Sequence, residues 1–530
     1  MTSPPRLALV VVLAAYLLPL AWPVPLMEDD EGLHAAIAQE MVERGDWTVP
    51  RLLGEPFLDK PILYFWLQAA SIAALGASEF AVRLPGTLVA LAGAGAIGWL
   101  TAILAGRSAG LWAALIYATM VLPFGVALAP LHDLVMVPLV TLAIGAYWQA
   151  GHAASAGALT GWTIVAGVVL GLSMLGKGLT GVGLAGIGVV SWLLWTRALS
   201  WRLVTAGAVS LALAVAIAWP WYAAMEGAAP GYLQYFFAER HLGGLASEAQ
   251  RHAGRPLWYY VPIVLAGTWP WGLLLWRRPT AADTAERLLW AWLAADFVVL
   301  SLAGSKLATY ILPAFPAVAS LAAMRLARRE LPDRVLSVAT VVSAVLALTA
   351  PLTAGWWTGG VVPPLSAWLW GAVPLAVLVS LRSWGGAPER LLLVTASALM
   401  AVALGTLPLL ADRLTAKPLA ARVNQDGRVP ARLLIVDEGI GSFVFYLRPD
   451  LRRGLDARRV VRISRFSLGD VEPHPGTMVA IAADRVPGVL ELYDMWPGLE
   501  VSEGDFVVRP LEAFHRKDAT RPPAGGPTQR

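Results

Sequence analysis

The chain has 530 residues, 57% hydrophobic and 14% charged, with a net charge of +4 and a mean hydropathy of +0.62. Soluble domains carry about 25% charged residues, so this balance excludes an ordinary soluble protein and points to a polytopic membrane protein. Cysteine is absent, which excludes disulfides and thiolate metal sites.

Apolar runs long enough to cross a bilayer (about 20 residues each) predict about 13 spans. They lie near 7–26, 83–105, 109–128, 133–150, 161–176, 178–196, 203–223, 257–276, 288–303, 307–325, 335–352, 366–381 and 391–410. The first follows Arg6 and lacks a small-residue cleavage site, so it reads as a retained helix rather than a signal peptide. Trp22, Trp99, Trp148, Trp195, Trp219 and Trp276 sit at the ends of these runs, where an indole prefers the headgroup region. Arginines in the short loops fall on one side: Arg6, Arg107, Arg197 and Arg202, then Arg277, Arg278, Arg287, Arg325, Arg328, Arg329, Arg334, Arg382 and Arg390. That side is cytoplasmic by the positive-inside rule, and an odd span count puts the C-terminus outside.

The outer face then receives the polar sequence. Its first loop, 27–82, opens with Glu28, Asp29, Asp30 and Glu31. "EGLHAAIAQEMVERG" follows as an amphipathic helix, with Leu33, Ala36, Ile37 and Met41 on one face and the whole resting on the membrane surface. Asp30 sits where an N-cap would, which accounts for one carboxylate and not for four. The same loop carries Asp59 and Lys60 in "LDKPILYFW".

Lysine is scarce, yet Lys60, Lys177 in "MLGKGLTG" and Lys306 in "AGSKLATYILP" all fall on the side the rule disfavours. Each alone reads as a snorkelling side chain. Together they predict a shared anionic ligand, for which an ammonium is a suitable point-charge partner. Asp133, after His132, opens a span on the same face, and His132 reads as an interfacial, hydrogen-bonded ring. The second long loop, 224–256, offers Glu239, Arg240 and His241, then Arg251, His252 and Arg255. Asp296 falls inside a span, where a carboxylate is functional by default.

From 411 to 515 the pattern changes to short strands: "RLLIVD" at 432–437, "VVRIS" at 460–464, "TMVAIAA" at 477–483 and "DFVVRPL" at 505–511. This predicts a small α/β domain outside the cytoplasm, followed by a disordered tail at 516–530. No nucleotide-binding loop, dinucleotide fingerprint or zinc-protease helix is present. An enzyme working on the outer face lacks soluble nucleotide donors, so its activated substrate would be carried by a lipid.

The acidic pair after the first span, "EMVERGDWTVPRLLGEPFLDKPILYFWLQA", "RLPG" at 83–86, "GLSMLGKGLTG", "YFFAERHL", "PLWYYVPIVLAGTWPW" and "SKLATYILPAFPAVASL" together carry a resemblance. The ordered set resembles the protein O-mannosyltransferase-like branch of the GT-C glycosyltransferases, most closely bacterial lipid A aminoarabinose transferases. It covers most of the membrane portion, 1–410, and implies a mainly α, polytopic GT-C fold in the bacterial inner membrane, N-terminus cytoplasmic and C-terminal domain periplasmic. It further implies transfer of a sugar, with inversion, from a polyprenyl-phosphate donor to a lipid, glycan or protein acceptor, with no nucleic-acid partner. By the same resemblance Asp30, Glu31 and Asp133 are catalytic positions, and Lys60, Lys177 and Tyr310 face the donor phosphate, with Lys306 beside them. Asp59 and His241 match positions where some members hold a divalent metal. Two departures stand out: Gly32, Leu33 and His34 follow the acidic pair where an arginine or tyrosine is usual, and Asp59 replaces a glutamate. A transporter or flippase of lipid-linked sugars, or a surface-polysaccharide polymerase or ligase, are the alternative readings.

Overall fold

The computed structural model describes residues 6–22, 24–129, 131–243, 254–275, 283–358, 360–381, 385–472, 474–482, 485–495, 506–511 and 514–516. Arg251, His252, Arg277, Arg278 and Arg382, and the tail beyond Arg516, lie outside the described residues. The chain divides into two compact units. The first comprises Met1–Val24, Ile37–Arg51 and Pro56–Leu410, the second Pro25–Ala36, Leu52–Glu55 and Ala411–Arg530.

The first unit is helical. Among the described residues, seven helices are long and apolar enough to cross a membrane: Glu79–Ala105, His132–Gly151, Ala156–Lys177, Trp201–Ala228, Ala308–Ala327, Asp333–Trp357 and Ala387–Ala411. An eighth is reached if Arg107–Ala118 and Val121–Ala127, bent by 66°, form one broken span. This corrects the expected count of about 13, because several apolar runs are broken or short as helices. The run at 7–26 stops being α-helical at Leu17, before a Pro19–Ala21 turn. The run at 257–276 ends its α-helix at Gly267 and continues as a separate turn at Trp271–Leu275. Leu179–Trp195 and Leu365–Ser380 have only 17 and 16 residues. The helix Thr284–Leu302 carries Glu286, Arg287 and Asp296, which lower its hydropathy.

Lipid tails are as apolar as leucine, so membrane helices associate through close packing at small residues. Gly167 and Gly171 on Ala156–Lys177 face Leu213 and Ile217 on Trp201–Ala228, and a β-carbon on either glycine would come within 2.9 Å of them. Trp112, Trp271, Phe315 and Ile116 anchor a buried cluster nearby in the same unit. Within it the Trp271 indole donates to Thr119 Oγ1 at 2.9 Å. Arg325, 1% exposed, meets Glu286 at 3.0 Å, and Arg328 meets Glu286 and Asp283 at 2.8 Å each. Asp296, also fully buried, accepts a hydrogen bond from the Trp292 indole at 3.0 Å, the partner that sequence alone did not supply.

The second unit contains a four-stranded sheet. Its strands are β1 (Arg432–Val436), β2 (Val460–Ile463), β3 (Thr477–Ala482) and β4 (Phe506–Pro510). The spatial order is β2-β1-β3-β4, with β1 parallel to both neighbours and β4 antiparallel to β3. The unbroken apolar run of β1 reads as a central parallel strand, and Leu433, Leu434, Ile435 and Val436 are all buried.

Candidate functional site

In the first unit, a helix end and two turns deliver polar side chains to one place. The helix Ala156–Lys177 starts at Ser155, whose hydroxyl accepts from the Ala158 N–H at 3.1 Å. It stops after Lys177 because Gly178 takes φ +63°, a conformation glycine adopts readily. A β-carbon at Gly178 would also lie 2.4 Å from His241 Nε2, so the residue is required twice. The turn His132–Val135 carries Asp133 into the start of Met136–Gly151. The turn Ala308–Ala314 carries Thr309 and Tyr310.

The Lys177 ammonium forms an ion pair with the Asp133 carboxylate, their side chains 14% and 11% exposed. Thr309 Oγ1 donates to the other Asp133 oxygen at 3.2 Å. Lys177 Nζ also sits 4.0 Å from the centroid of the Tyr310 ring, a cation–π distance. Lys60 is near enough for its charge to act on Asp133. Lys306, 4% exposed, donates to the Arg255 carbonyl at 3.2 Å. An ammonium removed from water is strongly penalised unless paired, and Asp133 supplies that partner. Two cationic side chains, Lys60 and Lys177, thus act on the one Asp133 carboxylate.

Asp59 extends this network. It accepts from the Tyr235 hydroxyl and meets Arg240 at 3.3 Å. Burial, reinforced by the hydrogen bond to Asp59, pushes the Tyr235 hydroxyl up to about 12. His241 Nδ1 lies 2.8 Å from the Phe236 carbonyl, and Nε2 lies 3.4 Å from the Lys177 carbonyl. Burial holds the His241 ring below the usual histidine range, which favours the neutral form near pH 7. Behind it Tyr222, Tyr232, Phe236 and Phe237 form an aromatic wall, with Phe236 and His241 ring centroids 4.6 Å apart.

Asp59 and His241 do not fit a metal centre. Asp59 faces a guanidinium and a hydroxyl, both ring nitrogens of His241 face carbonyl oxygens, and among the described residues no group of three or more potential ligands converges. His132 likewise departs from expectation: it is buried, packed 4.5 Å from the Phe65 ring and 5.1 Å from the Tyr64 ring.

Asp30 and Glu31 fall in the second unit. Asp30 is the first residue of the helix Asp30–Arg44 rather than the cap before it, and is exposed. Glu31, 4% exposed, reaches back to accept the Met27 N–H at 2.8 Å. The helix does not lie half-wet: His34, Gln39 and Glu40 are buried along with Ala36, Ile37 and Met41.

Sequence reading brought forward Asp133, Lys177 and Tyr310, which the structure joins, but missed Thr309 and Tyr235 as participants. Thr309 directly precedes Tyr310 and lies three residues beyond Lys306, so its place in that short turn was the available signal. Tyr235 sits in the segment of Arg240 and His241, with nothing in its spacing to single it out.

The family described as dolichyl-phosphate-mannose-protein mannosyltransferase matches residues 59–222. The chain is 33% identical over 317 residues to an undecaprenyl phosphate-alpha-4-amino-4-deoxy-L-arabinose arabinosyl transferase of Edwardsiella ictaluri, covering 58% of this chain and 56% of the relative. A protein of the same description from Pseudomonas savastanoi is 33% identical over 322 residues, covering 58% of each. The matched stretch thus spans just over half the length of these curated relatives. The crystal structure of ArnT from Cupriavidus metallidurans bound to undecaprenyl phosphate shares the fold, with a TM-score of 0.75 over 95% of this chain and 97% of that one, at 22% identity. The resemblance to this GT-C branch therefore holds in sequence and in fold.

Proposed function

We propose that the chain is an integral-membrane glycosyltransferase that takes a sugar from a polyprenyl-phosphate donor and passes it to a lipid, glycan or protein acceptor on the periplasmic face of the bacterial inner membrane, in the manner of a lipid A aminoarabinose transferase. The observation that carries this reading is the gathering of Lys60, Lys177 and Tyr310 about the single carboxylate of Asp133 in a chain similar to arabinosyl transferases. In this reading Lys60, Lys177 and Lys306 hold the donor phosphate, and Tyr310 orients Lys177. As the glycosidic C–O bond breaks, negative charge grows on the phosphate while the sugar becomes cation-like. Ammonium groups already fixed in a water-poor site stabilise that charge more than the ground state. Asp133 keeps Lys177 aimed until the phosphate arrives.

Asp30 takes the proton of an attacking hydroxyl, with Glu31 beside it, and displacement proceeds with inversion. If the acceptor is itself a phosphate, no base is required and Asp30 orients the acceptor. The arginines of the short loops, gathered on one side, support a cytoplasmic N-terminus and a periplasmic 411–515 domain. The charges cluster at one end of Ala156–Lys177 rather than along a path through the bilayer, which favours chemistry at one face over transport. The test is the purified chain in nanodiscs with undecaprenyl phosphate-linked aminoarabinose and lipid A, read by mass spectrometry. Sugar covalently added to the acceptor is the expected result. Movement of the lipid-linked sugar across liposomes without covalent transfer would overturn the reading.

A further inference from the structure

The acidic segment is short, charged and irregular, so something must fix it. Within the second unit, residues 25–36 are held by the C-terminal part of the chain at successive positions. The Leu26 N–H donates to the Tyr446 hydroxyl at 2.8 Å. The Glu28 N–H donates to the Leu414 carbonyl at 2.6 Å, and the Glu28 carboxylate accepts the Ser442 N–H. The Ser442 hydroxyl in turn accepts the Ala416 N–H at 2.9 Å. Asp29 meets Arg462, on β2, at 3.0 Å. Finally, two glycines let the backbones touch. A β-carbon at Gly32 would lie 2.4 Å from Ser442 N, and one at Gly441 would lie 2.1 Å from Leu33 N.

These contacts bracket Asp30 and Glu31 on both sides and leave Asp30 itself exposed. None of them is an apolar contact of the sheet core. A domain that only capped the chain would need no backbone-to-backbone contact with a segment some 400 positions earlier in sequence (Gly32 to Gly441). Catalytic groups must be held to a fraction of an ångström, and a small misplacement from a remote change can cost a hundredfold in rate.

We propose that the C-terminal domain is a positioning clamp for the acidic pair: Gly441, Ser442, Tyr446 and Arg462 fix the segment that presents Asp30. They are positioning residues and touch no substrate. The proposal rests on Asp30 being the catalytic carboxylate, as proposed above. It predicts that damage to the clamp lowers turnover while leaving donor binding intact.

The experiment uses the full-length chain in nanodiscs. It measures binding of undecaprenyl phosphate, and kcat and KM with undecaprenyl phosphate-linked aminoarabinose. Gly441→Ala should lower kcat at least tenfold with donor affinity within about twofold of the parent. Arg462→Asp, at an exposed pair, should lower kcat two- to fivefold, as exposed pairs are worth up to about 1 kcal/mol, and Asp29→Arg with Arg462→Asp should recover it. If Gly441→Ala fails to fold, the charge exchange decides alone. Wild-type kcat in Arg462→Asp, a loss that the exchange does not recover, or an equal loss of donor binding overturns the clamp. Asp30→Asn is measured in parallel. Its inactivity beside unimpaired clamp variants would sink the clamp and spare the catalytic reading, whereas its full activity would sink both.

Discussion

The lysine network of the first unit and the acidic segment of the second solve opposite problems. Around Lys177 the difficulty is charge in apolar surroundings, and the solution is charge: Asp133, the Tyr310 ring and Thr309 satisfy the ammonium and its partner. Around Asp30 the difficulty is shape, and the solution is backbone: hydrogen bonds to Leu414, Ser442 and Tyr446, and two glycines where no side chain fits. The first arrangement should therefore be sensitive to loss of charge and the second to small changes of volume.

The largest expected effect comes from Asp133→Ala. It strands Lys177 without its counterion, and breaking a buried pair from one side costs about 3–5 kcal/mol. Thermal unfolding in detergent should show that loss, together with at least a hundredfold fall in turnover. A smaller loss of stability is expected for Glu286→Ala, which leaves buried Arg325 paired with Glu330 at 3.3 Å, with turnover per folded molecule unchanged. Equal damage to activity in both variants would erase the distinction between a working ion pair and a merely stabilising one. Lys177→Met should weaken undecaprenyl phosphate binding by about tenfold to a hundredfold, the worth of a charge-assisted hydrogen bond of about 1.5–3 kcal/mol. Asp59→Asn should matter less. The Asp59 and Arg240 side chains are 33% and 29% exposed, so loss of that pair costs about 0.5–1 kcal/mol, visible as a small drop in melting temperature.

The smallest effect is one of pH. Burial, with Asp29 and Glu438 adding negative charge nearby, lifts the Glu28 carboxyl from 4.5 to about 7 against the opposing hydrogen bond from Ser442. The folded chain thus holds the Glu28 proton more tightly than the unfolded chain does. That contribution to stability is fully present below pH 4.5, is lost as pH rises through 7, and is constant above. Glu28→Gln should remove this slope, so its melting temperature should rise relative to the parent between about pH 5 and pH 8. Parallel curves would mean that Glu28 titrates as it does in the unfolded chain.

How much was legible follows the same division. Lysines on the side the arginine rule disfavours pointed to a shared partner because an ammonium near lipid is costly enough to need a reason; Lys60 and Lys177 both act on Asp133, whereas Lys306 meets the Arg255 carbonyl instead. Tyr310 came from the ordered motif "SKLATYILP" rather than from its own chemistry. The strands of the second unit were legible because β1 is unbroken apolar sequence bounded by turn residues. Spans were over-counted because hydropathy does not register a 66° bend after Ala118 or a helix that ends at Gly267. The helix Asp30–Arg44 was read as half-wet because its stripe of apolar residues says nothing of what covers its other face. The contact of Gly32 with Gly441 was invisible, since two glycines 409 positions apart carry no local signal of meeting.

The most direct test of the central claim is the affinity of the chain for undecaprenyl phosphate in nanodiscs, compared among the parent, Lys60→Met, Lys177→Met and Lys306→Met. The account predicts at least tenfold weaker binding in the lysine variants, with each still folded by thermal unfolding. Undiminished binding in all three would contradict it.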